Sequence, residues 1–197
     1  MAIVLPRNPP LVTVPVSRAL WRVHQSDLGA VWYGPGAKAT HRFDDPAIGY
    51  GVLYLGETPG VTVLETLVRG TSHCIVMQAE WQSRSITRVR LAEKLQGLQF
   101  EVKRLPEFGI GAERAHAGAY EECQALSAEV YASLPNVDGI QYRSRWDPSC
   151  LCWAVFDRAA HKIAGADPSD PLEGSAIGEE VLDTYPIVVV GDRRDLT

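Results

Sequence analysis

Hydrophobic positions change their spacing several times along the chain, and each change predicts an element. ALWRVHQ (19–25) is rich in aromatic and β-branched residues and predicts a strand carrying Arg22. VLYL (52–55) predicts a second, short apolar strand. Between them, Gly34 to Gly51 is dense in Gly, Pro, Asp and His, which is loop chemistry, and loops of that length in compact domains are usually functional. Thr58 and Pro59 supply an N-cap and a first helical residue for a helix running to about Arg69, where Gly70 can end it. Glu65 lies at the edge of the apolar arc formed there by Val61, Leu64 and Val68. It either faces inward or pairs at the surface with Arg69.

Further on, HCIVMQAEW (73–81) and SITRVRL (85–91) read as strands. Ala115, Ala119, Cys123, Leu126, Val130 and Leu134 step by three or four and mark an amphipathic helix that ends near Pro135. DGIQYRS (138–144) and CWAVFD (152–157) are strand-like and flank the turn-rich RWDPS. Residues 165–180 read as a surface loop, and IVVV (187–190) as a last strand. Many strands with two convincing helices define an α+β fold, a single domain with a mixed β-sheet core and flanking helices. Residues 1–18 read as a proline-rich N-terminal arm and 19–197 as the domain proper.

Composition narrows the function classes. The 197 residues, 46% hydrophobic and 22% charged, suit one globular domain. A net charge of -5 argues against direct nucleic-acid binding, while leaving room for a local cationic pocket. Prolines at 6, 9, 10 and 15 break every early apolar run well short of the roughly 20 residues of a membrane span, so neither a signal peptide nor membrane insertion is expected. Four cysteines in a chain this apolar need not be disulfide staples, and a cytoplasmic setting fits best.

Several motifs are incomplete. GPGAKA (34–39) loosely matches a dinucleotide fingerprint, but Pro35 removes an amide and no apolar helix follows, so a turn is the better reading. Cys150 and Cys152 lack the further ligands of a zinc site, and strand alternation groups them with Ala154 and Phe156 as small core residues. The five histidines form no metalloprotease motif and read mostly as surface residues, no nucleophile elbow is present, and no metal is expected. Arg22, between Trp21 and Val23, either faces solvent or points into a cleft.

The ordered string LWRV, GPG, HRF, YGVLYLGETP, a helix with Glu65 and then DGIQYRSR resembles the RES family, from about Leu20 to Phe156. The family is named for an arginine, a glutamate and a serine, which correspond to Arg22, Glu65 and Ser144. Arg42 and Tyr54 follow from the same resemblance. It implies a fold like that of ADP-ribosyltransferases and a toxin of a toxin–antitoxin pair that degrades NAD+, with inorganic phosphate as the acceptor. It also implies a separate helix-turn-helix antitoxin covering the active site. At two positions the chain departs from the pattern: His41 stands where Gly is common and Asp44 where Asn is common, so the family's loop shape and substrate contacts are not carried over there.

These residue types suit the implied substrate. Arg22 and Arg42 can present planar forks of donors to a pyrophosphate. Glu65 can stabilise the oxocarbenium-like ribose formed as nicotinamide leaves. Tyr54 can pack on a ring of NAD+, and the Ser144 hydroxyl can orient nicotinamide or the acceptor. Two alternatives stay open: a mono-ADP-ribosyltransferase that modifies a protein, and a non-catalytic module that binds a nucleotide or partner. No heptad or clear interface is legible, and a homo-oligomer stays open.

Overall fold

A computed structural model of the chain describes residues 3, 5–34, 38–68, 74–110 and 120–191. Nine strands form its main sheet. They are β1 (Leu11–Val14), β2 (Leu20–Gln25), β3 (Val52–Gly56), β5 (Arg84–Leu91), β6 (Leu95–Phe100), β7 (Gly139–Arg143), β8 (Leu151–Phe156), β9 (Ile163–Ala166) and β10 (Asp170–Pro171). Their order is β1-β6-β7-β8-β3-β2-β5-β10, with β9 also on β5. Pairing within it is antiparallel except between β6 and β7. A small parallel ribbon joins β4 (Ile75–Met77) to β11 (Val188–Val190). The helices are α1 (Pro59–Val63), continued by a π-helical turn (Leu64–Val68), then α2 (Gln78–Gln82), α3 (Glu121–Ser133) and α4 (Ala176–Thr184). Two 3-10 segments, Val102–Phe108 and Asp157–Lys162, complete the α+β fold.

The central strands β3 and β8 are apolar throughout because both of their faces are covered. On β8, Cys152, Ala154 and Phe156 join a cluster with Ile140, Leu126 and Val130. Trp153 and Val155 point the other way, toward Leu20, Leu53, Leu55 and Val89. The expected core role of Cys152 follows from this alternation. Cys150 lies just before the strand and is only partly buried. No disulfide joins the four cysteines. A third cluster packs Val63, Leu64, Leu67 and Val68 against Val23, Ile86 and Val181.

Several expectations need correction. The proline-rich arm is partly sheet, since Leu11–Val14 pairs with β6; its prolines flank the paired residues and so spare the ladder. The strand expected over 73–81 stops at Met77, and Gln78–Gln82 turns helical. Residues 165–180 are not one loop: they hold the end of β9, β10 and the start of α4, which Ser175 caps by accepting from Gly178 N. The helix expected from Ala115 is described from Glu121; Ala115 and Ala119 lie outside the described residues, as does Arg69.

One sheet feature creates the cleft. β2 and β3 pair only at Trp21↔Gly56, after which β2 continues along β5 on its other side and β3 along β8. Side chains from both strands line the gap. Gly56 also lets α1 approach the strand end: a Cβ there would lie 2.4 Å from Thr62 Oγ1 and 2.7 Å from Val61 Cγ1. Thr58 caps the helix by accepting from Val61 N at 3.2 Å. Thr58→Ala should therefore lower stability by about 1 kcal/mol in urea titrations.

Candidate active site

The gap between β2 and β3 is a cavity of about 300 Å³, at the small end of the range for small-molecule sites. Arg22, Arg42, Tyr54 and Glu65 all line it. Ser144 does not: it is 1% exposed and stands behind Glu65.

Glu65 lies on the π-helical turn. Single π turns within helices are frequent at functional sites. Leu64, Leu67 and Val68 go to the core while Glu65 and Thr66 face the cavity, so the inward orientation holds. The Ser144 hydroxyl donates to Glu65 Oε1 at 2.6 Å, and Glu65 Oε2 has no hydrogen bond among the described residues. Ser144 Oγ itself accepts from the backbone N–H groups of Trp146 (3.1 Å) and Asp147 (3.2 Å). The serine is thus oriented by its own turn, with its proton directed at the carboxylate. Asp147 braces this turn, accepting from Ser149 N at 3.0 Å and from the Tyr185 hydroxyl at 2.8 Å. Tyr185 follows α4, well past the last motif residue, and gives that tail a place in the site's framework.

The two arginines differ in setting. Arg22 on β2 donates from Nη1 to Trp32 O at 2.9 Å, and burial lowers its pKa to about 10, which leaves it a cation at neutral pH. The Arg42 guanidinium lies 5.3, 5.4 and 5.5 Å from the ring centroids of Phe43, Phe100 and Tyr142. Its Nε is buried with no hydrogen bond among the described residues. Arg42 is therefore fixed by aromatic faces, a setting that favours arginine over lysine. Two more cations line the cavity: Arg84, which pairs with Glu80, and Arg145, which donates to the Tyr120 hydroxyl at 2.7 Å. Nothing in the hydrophobic pattern singled these out.

Tyr54 carries a structural duty. Its hydroxyl donates to Asp44 Oδ1 at 3.0 Å and accepts from Phe43 N at 2.9 Å. Burial, aided by the Asp44 charge, holds this phenol protonated far above its usual range. Asp44 is 0% exposed, and its Oδ2 accepts from the backbone N–H groups of Thr40 (2.8 Å) and His41 (2.7 Å). Burial pushes the Asp44 carboxyl up, but the hydrogen bonds from His41 and Thr40 outweigh it and the net pKa is lowered. A lowered carboxyl pKa adds stability above the unfolded-state value, and this stability is lost as pH falls toward the folded-state value. Asp44→Asn should accordingly cost about 2 kcal/mol at neutral pH. The difference from wild type should shrink as urea titrations move down through the ordinary carboxylate range.

Of the histidines, His24 is not at the surface: it is buried with Nε2 2.8 Å from Thr87 Oγ1, whereas His161 is exposed. His73 and His116 lie outside the described residues, as do Pro35 and Gly36 of the 34–39 segment. Among the described residues no group of three or more His, Cys, Asp or Glu could hold a metal ion, and no helix is long and apolar enough to cross a membrane.

A cavity walled by several cations, by the Glu65 carboxylate and by the fully hydrogen-bonded Asp44 is fitted to a ligand that carries both signs of charge. Sequence comparison matches residues 19–174 to the RES domain, and the chain belongs to the RES domain family. Its fold is similar to that of a chain in the crystal structure of the M. tuberculosis MbcT–MbcA toxin–antitoxin complex. The TM-score is 0.67 at 14% identity, covering 85% of this chain and 90% of the other. No curated protein sequence matches it significantly.

Proposed function

We propose that this RES-domain protein degrades NAD+ by breaking the bond between nicotinamide and ribose, with inorganic phosphate as the acceptor. The observation that carries the reading is the Glu65 carboxylate, pinned through Oε1 by the buried Ser144 hydroxyl, at the wall of a cavity shared with Arg22 and Arg42. The arginines supply the positive end that a pyrophosphate requires. Glu65 supplies the negative end, with Oε2 placed for a ribose hydroxyl and its charge for the oxocarbenium-like transition state. Ser144 then acts by positioning Glu65. This differs from direct contact with nicotinamide or acceptor, since it is buried and its hydroxyl is fully engaged.

The same reading makes the protein a cytoplasmic toxin restrained by a separate antitoxin of helix-turn-helix type covering the cavity mouth. An antitoxin partner is supported by the shared fold with a chain of a toxin–antitoxin complex. Product analysis of purified protein with NAD+, with and without phosphate, tests the enzymology. Phosphate-dependent formation of ADP-ribose-1''-phosphate with release of nicotinamide is the expected result. Label on protein would reassign the chain as a mono-ADP-ribosyltransferase, and intact bound NAD+ as a non-catalytic module.

A further inference from the structure

We infer that His41, held by Asp44, is a further catalytic residue: the base that takes the proton from the acceptor's O–H. The inference rests on the NAD+ reading above and names the acceptor side of that site.

His41 lines the same cavity as Glu65, with 35% of its side chain exposed. Its Nδ1 lies 3.1 Å from Asp44 Oδ2 and 2.9 Å from Thr40 Oγ1. An ionised carboxylate only accepts, so the neutral ring keeps its hydrogen on Nδ1 and its lone pair on Nε2. The hydrogen bonds of the His41 ring are all at Nδ1, and Nε2 has none among the described residues. The ring is held in place: the Tyr54 ring packs against it at 5.3 Å between centroids, and Gln124 Nε2 donates to His41 O at 2.9 Å. Asp44 is anchored in turn by two backbone amides and the Tyr54 hydroxyl. A base oriented by a buried third group is the arrangement that general-base chemistry requires.

The step balances without any added reagent. An oxygen of a phosphate monoanion or of water forms a bond to the ribose carbon as the carbon–nitrogen bond breaks. The bonding pair stays on the ring nitrogen and nicotinamide leaves neutral. The acceptor's proton moves to His41 Nε2, and the imidazolium, stabilised by Asp44, releases it to solvent. The groups facing His41 are Thr40 and Asp44 on its own loop, Tyr54 from β3 and Gln124 from α3. Arg22, Arg42, Glu65, Arg84 and Arg145 are the charged residues elsewhere on the cavity wall.

Nicotinamide release by wild type, His41→Ala and His41→Asn, followed with and without phosphate, tests this. Asn can still donate to Asp44 and keeps the loop, but it offers no base. Both variants should lower kcat about 10²-fold, in both the phosphate and the water reactions, with KM for NAD+ nearly unchanged. Added imidazole should restore part of the rate in His41→Ala. An active wild type beside a His41→Asn variant that keeps its kcat overturns this inference alone. A wild type that leaves NAD+ intact overturns the NAD+ reading and this role with it.

Discussion

Under the proposed NAD+ reading, replacing Glu65 by alanine should lower nicotinamide release by at least two orders of magnitude, the size expected when one preorganised charge is removed from an active site. Glutamine is the sharper probe. Its amide oxygen can still accept from Ser144, so the side chain keeps its place while losing the charge that stabilises a cationic ribose. If transition-state charge is what matters, Glu65→Gln falls nearly as far as Glu65→Ala, and the fall is in kcat. Chromatographic assay of free nicotinamide reads both variants, and near-normal turnover by either sinks the assignment of Glu65.

Ser144→Ala should harm stability and activity together. The mutation removes a donor from Glu65 and leaves the part-buried amides of Trp146 and Asp147 without their side-chain acceptor. Lost hydrogen bonds of this kind cost about 1–3 kcal/mol, a drop in Tm of roughly 3–10 °C for a chain of this size. The freed Glu65 loses its set orientation, and small misplacements in an active site cost up to about 10²-fold. Thermal melts and kcat should therefore both fall. A variant with wild-type Tm and wild-type kcat would overturn the positioning role of Ser144.

Much of the scaffold was legible because it follows local rules. β2, β3, β7 and β8 declare themselves as short apolar or β-branched runs, and Thr58–Pro59 announces the start of α1. What stayed hidden depends on distant partners. LQGLQF shows no clean alternation, yet it becomes β6 because Gly97 lets the Trp153 ring lie across it, where a Cβ would be 2.4 Å from that ring. QAEWQ follows three strand residues and has too few residues to show a helical period. AIGEEVLDT lies behind a Gly- and Pro-rich stretch that masked its helix.

The site divides along the same line. The inward lean of Glu65 was partly visible in its spacing from Val61, Leu64 and Val68. The aromatic cage of Arg42 was not, since it draws on Phe100 and Tyr142 from two other strands. Nor was the duty of Tyr54, whose hydroxyl serves a loop carboxylate. His41 and Asp44 stood out only as departures from a pattern, and their contact with each other is a fact of three dimensions.

The hydrogen bond between Glu65 and Ser144 spans 79 residues of sequence, and β3, on the wall of the cavity, has β8 as its main pairing partner. A ribosome must therefore release about three-quarters of the chain before the carboxylate can be oriented or the cleft closed on that side. Partly made chains that end between Glu65 and Ser144 contain Arg22, Arg42 and Glu65 but lack the serine that orients the carboxylate and the strand that pairs with β3. The activity proposed for the site would therefore wait on synthesis past β8.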